Sequence, residues 1–304
     1  MSSRRQLATW VAPTFPDQRG ARSAATRIAV GAIVGAHLMA CRGPAPPPPL
    51  PKLEGFELLS PGAEPRAELR YLLRSGVRSA TALRLRAQPL GVPMRAPTLR
   101  FLTETELLGP AVQDAAPLRI RIVEAATEPP GAEGASEEAL AALRGAELRA
   151  SATPLGTLRD VTLQPPPGAT PPSLAGLRQS MQQLILELPP PAVGVGARWT
   201  IDRPIEQPQI VFSSRTTYEL VELSPTSAKI RSEITMTAPD QTIRQGELSA
   251  SLTGLAGSGA GEVTVDLGAL TLTGQVSSSY RGQLTGEEGT SELGMELSVS
   301  LGRP

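Results

Sequence analysis

The chain has 304 residues, with 29 basic and 29 acidic side chains, one His and one Cys. A formal charge of zero argues against a nucleic-acid-binding face, which needs a basic excess. One Cys cannot form an internal disulfide or a Cys-rich zinc site, and one His leaves little for acid–base chemistry near neutral pH.

The length fits one or two domains with a substantial core. Asn is absent, and Lys52 and Lys229 are the only lysines among the basic residues. With abundant Ala, Gly and Pro this reads as a coding bias, so the arginines carry little functional weight. Aromatic residues make up 3% of the chain, too few for the stacking platforms that single-stranded nucleic acids require.

Residues 1–27 hold Arg4, Arg5, Arg19, Arg22 and Arg27 against Asp17 alone, and Ile28–Ala40 is apolar apart from His37. That stretch is too short for a membrane-spanning helix, which needs about 20 apolar residues. It fits the apolar region of a secretory signal, about 7–15 residues long. It ends in Leu38-Met39-Ala40-Cys41, which resembles the lipobox of bacterial lipoproteins: an aliphatic residue, a small residue and then Cys. The resemblance implies cleavage after Ala40 and lipidation of Cys41. The alternatives are a plain signal peptide, a short anchor with an incidental Cys, or a twin-arginine signal at Ser3-Arg4-Arg5.

Lipidation implies a partner, the membrane, reached through the anchor. Two or three acyl chains hold firmly, since each buried methylene contributes roughly 0.8 kcal/mol. Cleavage removes five arginines, one aspartate and the sole His, leaving 24 basic and 28 acidic residues and a net charge of −4. Such a body does not adhere to anionic lipid by charge. Arg42 stands where enteric inner-membrane lipoproteins carry Asp, which favours the outer membrane.

Residues 42–53, RGPAPPPPLPKL, contain six prolines. They favour polyproline II over helix or central strand and read as a semi-rigid spacer of roughly 35 Å. A proline-rich ligand for a partner domain is the alternative.

From residue 54 the dominant signal is period two. Alternation runs through Leu69-Tyr71-Leu73, Leu83-Leu85-Ala87, Leu99–Leu107 and Leu118-Ile120-Ile122. It continues through Ala228–Met236, Leu248–Leu252, Val263–Leu267, Leu270–Tyr280 and Leu293–Leu301. Strict alternation predicts about ten strands with one buried and one wet face, hence an antiparallel sheet. Ser224-Pro225-Thr226 and Gly286–Gly289 read as hairpin turns, and Gly257–Gly261 as a flexible hairpin loop.

Two segments break the alternation. Residues 136–149 suggest a helix with an acidic first turn. Ser173–Leu188 suggests a better one, capped by Ser173 and stopped by Pro189-Pro190-Pro191. Its stripe of Leu174, Leu177, Met181, Leu184, Ile185 and Leu188 is core packing against the sheet, or a lid over a lipid cavity. The fold class expected is mainly β (α+β): an antiparallel curved sheet or half-barrel with one amphipathic helix packed on it. Residues 54–304 read as one β-rich domain, with a subdivision near residue 190 left open.

The processed body has no His, so it cannot assemble a Ser-His-Asp triad or a His-ligated zinc site. The Asp residues are scattered and make no calcium loop. No cofactor or metal is expected. Glu104, Glu106 and Glu124 could serve a carboxylate-only hydrolase, but solvated strand faces explain them more simply. Of two lysines, Lys52 lies in the spacer and Lys229 on an outward-facing position, so neither suits a Ser–Lys dyad.

The run Leu188–Asp202, LPPPAVGVGARWTID, carries a second resemblance. It looks like a family of uncharacterised β-rich envelope lipoproteins, in which a helix leads to a proline-rich turn, a Val-Gly-x-x-Trp motif and a β meander. The matching residues are Val195, Gly196 and Trp199, with Tyr218 in the next strand and Asp266 late in the meander, across residues 150–285. The family has no established activity, so the resemblance implies fold and location. Trp199 reads as a core anchor. Together with Leu177, Met181, Leu184, Ile185 and Tyr218 it marks the core, or else the wall of a ligand cavity.

The sequence therefore points to a lipid-anchored envelope protein with a non-catalytic binding or structural role. Its expected partners are the membrane and an apolar ligand or an envelope protein. The alternatives are a carrier of a lipid-like ligand between sheet and helix, and the carboxylate-only hydrolase.

Overall fold

The computed structural model describes residues 53–90, 96–132, 137–166, 177–206, 211–245, 248–286 and 289–304. Cys41, the signal segment and the proline-rich spacer up to Lys52 lie outside the described residues, as do Ser173 and Leu174. The first half of the chain forms β1 (Phe56–Ser60), β2 (Arg78–Pro89), β3 (Thr98–Leu107), β4 (Ala116–Glu128), α1 (Glu137–Ala141), β5 (Glu147–Ala152), β6 (Leu158–Gln164) and α2 (Leu177–Gln182). The second half forms β7 (Arg198–Glu206), β8 (Val211–Leu223), β9 (Ser227–Thr237), β10 (Gln241–Gln245), β11 (Leu248–Asp266), β12 (Thr271–Gly286) and β13 (Gly289–Gly302).

All thirteen strands join one antiparallel sheet, in the order β1-β7-β8-β9-β11-β12-β13-β2-β3-β4-β5-β6, with β10 paired to the start of β11. The sheet is not closed: β1 and β6 are its edges. Two meanders, β2–β6 and β7–β13, are sewn together where the last strand pairs with β2. The sheet is curved. β11 and β5 stand six strand positions apart, about 29 Å if flat, yet the consecutive residues Tyr71 and Leu72 donate to Pro154 O just after β5 and to Leu267 O just after β11.

Alternation is the cause of this architecture. On β4 the odd–even pattern puts Leu118, Ile120 and Ile122 at 1%, 0% and 2% exposure, while Arg119 and Arg121 point outward. The same rule sends Ala228 and Ile230 inward and Lys229 and Arg231 outward on β9. A one-residue slip would exchange the two sets, so register is strongly specified. The hairpin at Ser224 closes as expected, with Ser224 N donating to Ser227 O at 2.8 Å. Gly286 pairs with Gly289 across the β12–β13 turn.

Four expectations are corrected. The helix expected over 136–149 stops after α1, and residues from Glu147 form β5. Gly145 adopts φ 86°, the left-handed geometry that ends helices; beyond it Leu148, Ala150 and Ala152 alternate inward against β4. The helix expected over Ser173–Leu188 is six residues long in its described part, Leu177–Gln182. Past it the backbone is taken by other partners: Leu188 N donates to Leu155 O and the Tyr71 hydroxyl donates to Leu186 O. Leu184, Ile185 and Leu188 thus enter the core from a turn and an extended segment, not from a helix laid on the sheet.

The Leu69-Tyr71-Leu73 segment is not a strand. Leu69 and Tyr71 are buried, but their neighbourhood bonds to several different elements: Ala67 bridges Val193, Tyr71 N donates to Pro154 O, and Leu72 N donates to Leu267 O. Residues 61–73 are a strap across the end of the sheet. Lastly, Gly257–Gly261 is not a loop but the middle of β11. A Cβ on Gly259 or Gly261 would sit 2.6 Å from a side-chain carbon of Ser278 or Val276. Glycine here permits close strand approach.

Candidate functional site

The inner face of the sheet can be read as rows running across the strands, from the pairing register. The row Leu220–Ile230–Val263 continues to Gly274, Leu301 and Leu83. Next along the strands comes Tyr218–Ser232–Gly261–Val276–Val299–Leu85, and then Thr216–Ile234–Gly259–Ser278–Leu297–Ala87. Burial falls from row to row. Leu220 and Ile230 are fully buried, whereas Ile234, Leu297, Val299 and Leu85 are half-buried.

The main core fills one end of this face, under the 61–73 strap and the 183–197 connection. A second small cluster of Ile243, Leu252 and Leu255 closes the far end. Between them lies a half-exposed apolar strip. Among the described residues, no charged side chain occupies an inward register position on β2, β3, β4, β5, β8, β9, β12 or β13. Arg203 on β7 sits at that level near the β1 edge, ion-paired to Glu187.

The outer face is the reverse. It is laced by cross-strand ion pairs: Arg215–Asp202 at 2.6 Å, Lys229–Glu262 at 2.8 Å, Arg84–Glu128 at 2.9 Å and Arg231–Glu219 at 3.6 Å. Exposed pairs of this kind contribute little stability each, but opposite charges on facing strands favour one register.

The densest group surrounds Glu106, whose side chain is 14% exposed. Arg78 approaches it at 2.7 Å, and Arg119 also bonds it. Hydrogen bonds from Arg78 are the main cause that holds the Glu106 carboxyl below the usual glutamate value. A group with a lowered folded pKa stabilises above its unfolded value and loses that contribution as pH falls through the folded one. Glu106→Gln should therefore lower the urea midpoint at pH 7, with the gap closing as pH falls below about 4. An undiminished gap at pH 3 would refute this.

Two depressions stand out, both open to solvent. One of about 260 Å3 is bordered by Arg78, Glu104, Glu106, Arg119 and Arg121 on the outer face. The other, of about 450 Å3, is bordered by Arg231, Glu262, Val276 and Ser298. Glu104, Glu106 and Glu124 all lie on strand faces with arginines opposite or bonded to them. Among the described residues no group of His, Cys, Asp or Glu converges as a metal site.

The residues singled out from the sequence are brought together, but as packing. Met181, Ile185 and Trp199 are buried in the main cluster, and Leu177, Leu184 and Tyr218 pack against it. Trp199 is fully buried and stacks on Tyr218, with ring centroids 5.6 Å apart and planes at 23°. Burial raises the pKa of the Tyr218 hydroxyl. Among the described residues the Trp199 indole N–H has no hydrogen-bond partner.

In the Val-Gly-x-x-Trp run, Val195 is 48% exposed and Gly196 adopts φ 81°. The glycine under most constraint is its neighbour Gly194. A Cβ there would fall 1.7 Å from Ala63 O. Gly194 N donates to Pro61 O, and Ala63 N donates to Val195 O, so this turn is where the strap is bolted to the sheet. Sequence reading missed Gly194 because close approach leaves no periodic signal. Asp266, late in the meander, accepts from Gly268 N and Ala269 N and closes the β11–β12 turn. No helix among the described residues is long and apolar enough to cross a membrane. The chain matches no family model, no curated protein and no solved structure.

Proposed function

We propose that this chain is a lipid-anchored cell-envelope protein, held at the outer membrane through Cys41, whose body binds rather than catalyses. The anchor reading rests on Leu38-Met39-Ala40-Cys41 and the proline-rich spacer behind it. The binding reading rests on one observation: the inner face is uncharged over most of its strands and remains half-exposed along its middle. An apolar surface inside a shell of ion pairs suits an apolar ligand or an apolar segment of another envelope protein. The carrier reading moves accordingly from a sheet–helix cavity to this strip, because the helix residues belong to packed core.

Expression of Cys41→Ser in a bacterial host fed labelled palmitate tests the anchor. The wild-type chain should take up label and be shortened. The variant should take up none and keep its full length. Label retained by the variant would defeat the reading.

A further inference from the structure

The strip has an occupant close at hand. The chain joins the sheet at β1, where Phe56 N donates to Leu53 O and Asp202 N donates to Gly55 O. Asp202 and Arg203 face Arg215 and Ser214 of β8, and Ser214 faces Met236 of β9. The upstream segment therefore leaves the sheet at the β1 edge, where Leu53 and Phe56 still pack against the main core, and where Arg203 of the neighbouring β7 is in register with Met236 of the half-exposed strip.

Eleven residues separate Cys41 from Leu53. At about 3.1 Å per residue in polyproline II they reach roughly 34 Å. Crossing from β1 to β2 takes seven strand steps, about 34 Å along the sheet at 4.8 Å each, and less across its curve. The spacer thus lets a group on Cys41 reach every position of the strip. Tethering also raises its effective concentration to the order of millimolar, which no free ligand need match.

We propose that, away from a membrane, the acyl chain carried by Cys41 folds back onto its own body and lies along the strip formed by Ile234, Met236, Leu297, Val299 and Leu85. This rests on the lipidation reading above. In one row Ile234 and Leu297 stand on either side of Gly259 and Ser278, the two smallest residues along it. The body shields its own anchor during transit and yields it to the bilayer on arrival. The number of residues between Cys41 and Leu53 limits both the reach and the standoff.

Cys41 is the only thiol in the chain, so the test needs no genetic lipidation. The unlipidated full chain is alkylated with N-hexadecylmaleimide or, as control, N-ethylmaleimide, and mixed with anilinonaphthalene sulfonate. The control should bind the dye. The hexadecyl form should lose most of the dye signal, stay monomeric by light scattering, and show slowed amide exchange in β12, β13 and β2. In Val299→Gln/Leu85→Gln, checked for an unchanged circular dichroism spectrum, the hexadecyl form should associate into micelle-like oligomers. Exchange in the wild-type background decides the matter if that variant does not fold.

The proposal is overturned if the hexadecyl wild-type chain oligomerises, or if exchange in those strands is unchanged. It is also overturned if the control already excludes the dye, since the strip would then be covered by residues 28–40 or by a second copy. Loss of palmitate labelling in Cys41→Ser is a separate measurement. Failure there would remove the natural lipid without altering what the alkylated chain shows about the strip.

Discussion

Gly194→Ala should be among the most destabilising substitutions in the body, although it adds one methyl group. The Cβ would meet Ala63 O at 1.7 Å and Pro65 O at 3.2 Å. Both are backbone atoms, so no side chain can rotate away. Relief requires the strap to lift from the 193–197 turn. That breaks the Gly194 N to Pro61 O bond and the paired bonds between Ala67 and Val193, and it unseats Leu69 and Tyr71, which are 1% and 2% exposed.

Overpacking costs typically 1–3 kcal/mol where side chains can adjust. Here backbone must move, and a loss of at least about 3 kcal/mol is expected, a large share of a typical 5–15 kcal/mol stability. At roughly 2–4 °C per kcal/mol, the melting temperature should fall by about 10 °C. Gly196→Ala is the matched control. Its Cβ meets nothing within 4 Å, but φ is 81°, so it should lose only about 1–2 kcal/mol of left-handed strain. If the two variants melt together, steric crowding at Gly194 is not the constraint.

Trp199→Ala should cost about 3–5 kcal/mol. The side chain is fully buried, stacks on Tyr218, and stands opposite Leu58 of the short edge strand β1. Truncation removes the surface on which Tyr218 stacks and beside which the edge strand β1 is held. The expected consequence is local as well as global: amide protection in β1 and at the Ala63 and Ala67 strap bonds should drop first.

Trp199→Phe should cost much less. The indole N–H has no acceptor among the described residues, and removing a buried unpaired donor carries no hydrogen-bond penalty. Denaturant unfolding of the three chains, followed by circular dichroism, measures both effects. Equal destabilisation by Phe and Ala would mean that Trp199 is held by its shape alone and that the unpaired N–H is not a burden.

The strand content was legible because period two is a local property. Each inward residue on β4, β9 and β13 is followed by an outward one, and no distant contact is needed to see it. The short-range signals failed where the same composition serves two ends. Leu184, Ile185 and Leu188 sit at helical spacing, yet Pro189, Leu155 and Tyr71 decide that the helix gives way to a turn and then to extended backbone. Gly257–Gly261 has the composition of a loop, but glycine also suits strands that approach closely, and only the positions of Val276 and Ser278 tell the two apart. Trp199 and Tyr218 could be marked as core candidates by their rarity; that their rings stack could not.

By itself the sequence determined which faces are wet, that the sheet is antiparallel, and that a chain with one Cys has no Cys pair to work with. These follow from composition and nearest-neighbour pattern, which survive without any fold. Tertiary structure alone decided the strand order, above all the pairing of β13 with β2. It also decided the crossing of the strap over Gly194, and the division of one largely uncharged inner face into a filled end and a half-exposed strip. The reason is physical. Pairing partners, close backbone approach and curvature depend on residues more than a hundred positions apart, and an alternating pattern says which way a side chain points but not what it meets there.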